Sequence, residues 1–507
     1  MGRFNRRIFV LGGAAAVGTV ALGGRAAAAS FPFTLGVASG DPLPDGAVLW
    51  TRLAPTPLNA DGHGGMPDQD VAVDWEVATD DRFTDVVQRG TTTATYAAAH
   101  SVHVELVGLR PDYDYFYRFR AQGHLSPVGR TRTAPALDAV GRDLLMSFAS
   151  CAHYEEGRYT VYRRMAEDRP GLVLHLGDYI YEGGAVSGRV RRHAGDDELR
   201  YVADYRRRYA QYKSDADLQA AHAAAPWLVV PDDHEVENNY AGYVRDRNAP
   251  ELTDAEWRQR RAAAYQAYYE NMPLRGGARP NGGGIQLYRR VRWGTLATFH
   301  MLDTRQYRDD QACGDGWKYC PEAGAPARSL PGVTQENWLL DGLGQRDATW
   351  DVIGQQVFFA RRVDGDGAFA LDGWDGYPAS RDRIQKGWVQ RGVPNPVVLT
   401  GDVHRSWAND LKVDFTNPAS PVVGTELVTT SVSSGGDGAD STGVPGSAYN
   451  PHLKFYSNHR GYVRTTISPT RMDVDFRAVK KISTAGEPAV TLRSFAVEAG
   501  RPGLQNP

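Results

Sequence analysis

The feature that most constrains this chain is a pattern repeated through residues 143–507. An apolar run of strand length is followed by polar residues and then by a stretch of helical character. LLMSFASC (144–151), GLVLHLGDYIYEGG (171–184), PWLVVPDDHEVENNY (226–240), WGTLATFHMLDTRQYR (293–308), DVIGQQVFFA (351–360) and NPVVLTGDVHRSW (395–407) each read as a buried strand. YTVYRRMAED (159–168), DELRYVADYRRRYAQYKS (197–214) and DAEWRQRRAAAYQAYYENM (254–272) read as helices. Unbroken apolar runs are what a strand covered on both faces requires, and such strands alternating with helices build an α/β sheet. The polar residues fall at strand C-termini, where α/β sheets collect ligands.

Four of these ends carry residue types that bind metals. They deliver Cys151; Asp178 and Tyr181; Asp232, Asp233, His234, Asn238 and Asn239; and Asp402 and His404. Each alone has an ordinary explanation: an Asp after Gly closes a turn, and a buried Cys packs as a small hydrophobe. Gathered at the mouth of one sheet, the carboxylates would repel one another or take up protons unless cations neutralise them. Thiolate, phenolate and imidazole suit a transition metal, whereas carboxylate and amide oxygens suit a hard cation. His175 lies inside a strand and reads as a core histidine. Asp303 and Arg305 in LDTRQYR read as an ion pair behind the site, and His153 and Arg158 as residues within reach of a phosphate or at a helix start.

Residues 30–135 have a different texture. FTLGVASGDPLPDGAVLWTRL, VAVDWEVATD, HSVHVELVGL and DYFYRFRAQG are short strand-like runs separated by turn signals, which predicts an all-β sandwich of immunoglobulin or fibronectin type III kind. LRPDYDYFYRF (109–119) resembles the tyrosine corner of that fold. No cluster of ligand-type residues occurs there, so the region is read as structural or substrate-shaping. The boundary falls in APALDAVGR (134–142), and at 507 residues at least two domains are expected.

The first 29 residues have a basic start, a Gly/Ala-rich apolar stretch and small residues before Ser30, the layout of a cleavable export signal. Arg6 and Arg7 followed by Ile8 and Phe9 resemble the twin-arginine motif. Its removal would leave 53 basic against 60 acidic residues, a net charge of about −7, from which no basic nucleic-acid footprint is expected. In an oxidising compartment Cys313 and Cys320, in ACGDGWKYC, most simply form a local disulfide, and Cys151 is left unpaired.

ASC, HLGDYIYE, DDHEVENN and GDVH, in that order, resemble the PhoD-type alkaline phosphatase/phosphodiesterases, a branch of the metallophosphoesterases, and the resemblance runs from about Ser30 to near the C-terminus. It implies a β-sandwich over 30–135 and an α/β metallophosphoesterase domain over 143–507, with two packed sheets flanked by helices. It also implies ferric iron held by Cys151, Asp178, Tyr181 and His404, with Asp178 bridging to calcium held by Asp232, Asn239 and Asp402. The choices between Asp232 and Asp233, and between Asn238 and Asn239, stay open. The implied reaction is hydrolysis of phosphomonoesters and phosphodiesters by a water that the cations activate, in an exported monomer. His234 is the candidate general acid or, equally, a residue that orients a carboxylate. Phospholipase D activity on lipid headgroups is the alternative within the enzyme class, and an adhesion protein with a structural metal site the alternative outside it. The glycine-rich SSGGDGADSTGVPGS (433–447) is read as a loop flanking the site or a mobile one.

Overall fold

A computed structural model describes residues 30–246, 248–249 and 251–507, so the export signal read in residues 1–29 lies outside the described residues. Each predicted strand is present: Leu144–Ala149, Leu172–His175, Pro226–Val229, Ala297–Met301, Trp350–Gly354 and Pro396–Thr400. They divide between two sheets. Leu144–Ala149, Leu172–His175 and Pro226–Val229 pair in parallel within a ten-stranded sheet. Ala297–Met301, Trp350–Gly354, Pro396–Thr400 and Val422–Val428 run in parallel through a seven-stranded one.

The unbroken apolar runs now have a reason. Val397 and Leu399 point into a core between the sheets, where they meet Met146, Phe148, Leu174 and Leu228. Val398, between them, points the opposite way to Leu339, Ile384 and Trp388, beneath helices Val333–Leu343 and Pro378–Arg391. Leu172–His175 splits in the same way, with Leu172 and Leu174 facing the inner core and Val173 facing outward. Outside it lie the helices Thr160–Glu167, Val202–Lys213, Ala216–Ala224 and Asp254–Asn271 over an aromatic layer that includes Tyr162, Tyr209, Trp227 and Tyr268. The result is a helix–sheet–sheet–helix stack in which every central strand is covered on both faces.

The N-terminal region is β-rich, and its layout adds something the local sequence does not show. Val37–Leu43 pairs in parallel with Pro226–Val229, Ser39 opposite Pro226 and Gly40 opposite Trp227. Val37–Leu43, Gly46–Arg52 and Ser101–Glu105 therefore extend the ten-stranded sheet. Val71–Ala78, Val86–Ala94, Asp114–Ala121, His124–Leu125 and Gly129–Arg132 make a separate five-stranded sheet that packs over them. Val37, Leu49 and Val104 meet Val73, Val77, Tyr117 and Phe119 between the layers. Two β layers face each other, and one of them is continuous with the sheet that carries the candidate ligands. At the predicted corner the Tyr115 hydroxyl accepts the Arg110 backbone N–H at 3.0 Å.

Candidate metal centre

The C-terminal ends of strands from both sheets meet at one place, and two glycines allow it. A Cβ on Gly177, whose φ is +98°, would stand 2.5 Å from the backbone nitrogen of Asp232. One on Gly401 would stand 2.7 Å from Ser150 Oγ. Each glycine precedes a candidate ligand, Asp178 or Asp402, so the Gly-Asp pairs mark where loops from neighbouring strands touch.

The ligand candidates sit on unusual backbone. Cys151 (φ 61°), Asp178 (54°), Asn239 (49°), Asp402 (61°) and His404 (56°) all occupy the left-handed region without being glycine. Each such residue costs about 1–3 kcal/mol and persists only where its surroundings over-determine it. For Asp178 the determinant is Glu235, a buried carboxylate that accepts the backbone N–H groups of Asp178 (3.1 Å), Tyr179 (2.6 Å) and Asp232 (2.9 Å). It thereby ties two ligand-bearing loops together. Glu235→Ala leaves three buried amide donors unpaired, at about 1–3 kcal/mol each. The expected result is a protein with a lowered thermal midpoint and reduced metal content, read by calorimetry and elemental analysis. Unchanged metal content would show that Glu235 does not hold these loops.

The side chains form two groups that share one residue. Ligand atoms of Cys151, Asp178 and His404 lie within 4.8 Å of one another, and so do those of Asp178, Asp233 and His234. The Tyr181 hydroxyl joins the first group, 3.0 Å from Asp178 Oδ2 and 3.2 Å from His404 Nε2. Asp232 gives Oδ1 to Arg305 at 2.5 Å and keeps Oδ2 unpartnered. Asn239 donates its amide nitrogen to Asp315 at 2.6 Å, which leaves its carbonyl oxygen free of that bond, and its backbone N–H bonds Asp233 Oδ2 at 2.7 Å. Asn238 turns instead to Asp246, at 2.8 Å. Asp402 lies within electrostatic range of Asp232, Asp233 and Asp372.

The electrostatics show what this arrangement lacks. Burial, with Asp232 and Asp233 adding to it, pushes the Asp178 carboxyl far above its usual range. Burial and then Asp232 and Asp372 do the same to Asp402. The Cys151 thiol and the Tyr181 phenol are also driven up, by burial first and by Asp178 next. Burial lifts Asp232 to about 6 despite Arg305. Burial lowers His404 to about 3, with the His234 charge adding to it. Arg305 and Arg308 compensate Asp232 and Asp372, and His234 pairs with Glu182 at 2.7 Å. His234 offsets Asp178 and Arg305 offsets Asp402 only in part, and both carboxyls stay far above their usual range. Asp178 Oδ1, Asp232 Oδ2 and Asp233 Oδ1 are buried without any hydrogen-bond partner. Orphaned carboxylate oxygens beside a thiol, a phenol and an imidazole fit bound cations and little else.

The comparisons agree with this chemistry. The family model described as PhoD-like phosphatase matches residues 146–476, and that of its N-terminal domain matches residues 18–135. The chain belongs to the PhoD-like phosphatase family. Alkaline phosphatase D of Bacillus subtilis (strain 168) is 50% identical over 487 residues, 94% of this chain and 82% of that protein. A solved structure of PhoD is 49% identical with a TM-score of 0.90, covering 94% of this chain and 92% of that one. A purple acid phosphatase from yellow lupin (Lupinus luteus) seeds shares the fold at 12% identity and a TM-score of 0.56, covering 91% of this chain and 74% of that one. The chain is thus a phosphoesterase with a metallophosphoesterase-like architecture.

In this PhoD-like phosphatase several residues around the site went unread in the sequence. Ser434 donates its hydroxyl to the Tyr181 oxygen at 2.7 Å, and the Cys151 carbonyl lies 2.9 Å from the same hydroxyl. Arg460 donates to the His404 carbonyl at 2.5 Å, holding that strained turn. Asp372 receives Arg305 in a two-pronged pair at 2.8 Å, which corrects the expected pairing: from Arg305, Asp303 takes the backbone N–H alone, while the guanidinium goes to Asp232 and Asp372. None of these lies in a motif-like run, and only the Ser-Ser start of the 433–447 loop carried a hint. His175 is a core residue, stacked on Trp227 and bonded to the Tyr162 hydroxyl at 2.8 Å. His153 borders the open groove in front of the site, whereas Arg158 is exposed and does not line it.

Cys313 and Cys320 form a disulfide, and the loop it closes holds Asp315, the partner of Asn239. Replacing both cysteines by Ser should cost about 2 kcal/mol of stability. It should also loosen the hold of Asp315 on Asn239 and so lower metal content on that side of the site. Melting curves and elemental analysis check this, and unchanged metal content would contradict it.

Proposed function

We propose that this chain is an exported phosphatase and phosphodiesterase whose centre holds ferric iron on Cys151, Asp178, Tyr181 and His404 beside calcium on Asp232, Asn239 and Asp402. The single observation that carries the reading is the convergence of Cys151, Asp178 and His404, whose ligand atoms lie within 4.8 Å of one another, with the Tyr181 hydroxyl 3.0 Å from Asp178; Asp178 also belongs to a second group, whose other members are Asp233 and His234, and Asp232 stands beside it with one oxygen unpartnered. Cations bound there would draw in phosphoryl oxygens, acidify a water and offset the charge of the transition state.

The chain's own residues supply the rest. His234 protonates the departing alcohol. Its ring lines the open groove of about 410 Å³ in front of the site, with His153, Tyr181 and Asn238. Its Nδ1 is fixed on Glu182. Burial alone would strip its proton, but Glu182, Asp233 and Asp178 hold it on. Arg305 fixes Asp232 and so orients its remaining oxygen.

The groove is bordered by polar side chains rather than apolar ones, which suits water-soluble alcohols better than the acyl chains a phospholipase D must seat. Among the described residues no helix is long and apolar enough to cross a membrane. Tyr181, one of the proposed ligands, lines this open groove, which argues against a structural metal site in an adhesion protein, because structural sites are closed. Export is proposed from Arg6, Arg7 and the apolar stretch after them.

The test is hydrolysis of p-nitrophenyl phosphate and bis(p-nitrophenyl) phosphate by the purified protein. Both should be cleaved, with activity lost to a chelator and restored by calcium. Turnover indifferent to chelator would contradict the proposal.

A further inference from the structure

A second groove lies beside the metal centre. It has a volume of about 350 Å³ and is bordered by Trp317, Arg362, Arg405, Trp407, Pro445 and Tyr456. Arg405 directly follows His404. The glycine-rich loop connects the two places: Ser434 at its start bonds Tyr181, and Pro445 near its end borders this groove.

Most enclosed arginines of the chain are satisfied by carbonyls or carboxylates: Arg52, Arg208 and Arg460 donate to backbone carbonyls, while Arg261 rests on the rings of Tyr240, Tyr243 and Tyr265. Arg206, Arg260, Arg305 and Arg381 all pair with carboxylates. Among the described residues, no carboxylate lies within ion-pair distance of Arg362 or Arg405. The Arg362 guanidinium rests against the rings of Phe358, Trp317 and Trp407, at 4.7, 5.0 and 5.4 Å from their centroids. Arg405 donates Nε to the Tyr456 hydroxyl at 3.1 Å. The one acid on the rim, Asp364, is already engaged by Trp317 Nε1 and by the backbone of Asp366 and Ala368, each at 2.9 Å. Aromatic faces steady a guanidinium but leave its N–H edges unused, and those edges match the oxygens of a phosphate.

We propose that Arg362 and Arg405 form a subsite for a second phosphate group on the substrate, so that the enzyme favours esters carrying one phosphate at the metal centre and another in this groove. Phosphate fits better than carboxylate, because two guanidiniums offer more donors and more charge than one carboxylate uses. The inference rests on the phosphoesterase reading, since it supposes that the first phosphate sits at the metal centre.

Binding tests it independently of turnover. Straight-chain bisphosphonates of increasing length, which cannot be hydrolysed, are titrated calorimetrically into the metal-loaded protein beside the matching monophosphonates. At one length the bisphosphonate should bind about 10- to 100-fold more tightly than its monophosphonate, the range for charge-assisted pairs. Arg362→Gln combined with Arg405→Gln should erase that ratio. Arg405→Gln alone, a change at a half-buried side chain, should reduce it by about tenfold and keeps the test readable if the double variant fails to fold. Absence of the advantage at every length, or its survival in the variants, overturns the subsite. Failure to hydrolyse p-nitrophenyl phosphate with the advantage intact overturns the phosphoesterase reading instead.

Discussion

Cys151→Ala should yield a folded protein that has lost iron, visible colour and turnover together. Cys151 is fully buried and unpaired, its backbone is held in the left-handed region, and its thiol lies among the ligand atoms of Asp178 and His404. If the sulfur only filled space, truncation would cost a few kcal/mol at most and leave the chemistry alone. As a ligand its loss should exceed the 10- to 100-fold penalty typical of residues that merely support a ligand, so kcat/KM for p-nitrophenyl phosphate should fall by more than about a hundredfold. Circular dichroism establishes folding in the same sample. Wild-type turnover in folded Cys151→Ala would refute the ligand role.

Asp402 and His404 stand two residues apart at the end of one strand and should fail differently. Asp402→Asn removes a negative charge from the oxygen-rich side, so calcium affinity should fall, and excess calcium should restore part of the activity. His404→Ala removes an imidazole whose Nε2 lies 3.2 Å from the Tyr181 hydroxyl, in the group with the thiol. Iron should be lost, and calcium should restore nothing. Elemental analysis of both variants decides it: loss of the same ion from both, or full activity in either with both ions bound, contradicts the division of labour.

The strands of the two-sheet core could be read from the sequence because burial on both faces forces unbroken apolar runs such as Val397–Leu399, and a run of that kind needs no partner to be recognised. The candidate ligand positions stood out for a related reason. The glycine before Asp178 or Asp402 is demanded by a close approach of loops, and chemistry-bearing side chains directly after a buried strand have few other uses. The support around them was not legible. Glu235, Asp372, Ser434 and Arg460 act through partners far away in the chain, and nothing local distinguishes a glutamate that accepts three amides from one that faces water. The same holds for the pairing of Ser39 with Pro226, which joins the N-terminal strands to the central sheet. Strand-like spacing in residues 30–135 describes each strand but not which sheet it enters. Arg305 shows the limit most plainly: its spacing from Asp303 suggested a local ion pair, yet the energetic need lay with the buried Asp232 and the half-buried Asp372.

The most direct test of the account is elemental analysis of the purified, active wild-type protein, taken together with its visible spectrum. Iron and calcium should both be present in stoichiometric amounts, with a visible band from tyrosinate bound to ferric iron that disappears in Tyr181→Phe. Stoichiometric zinc without iron in fully active protein, or a visible band that survives Tyr181→Phe, would contradict it.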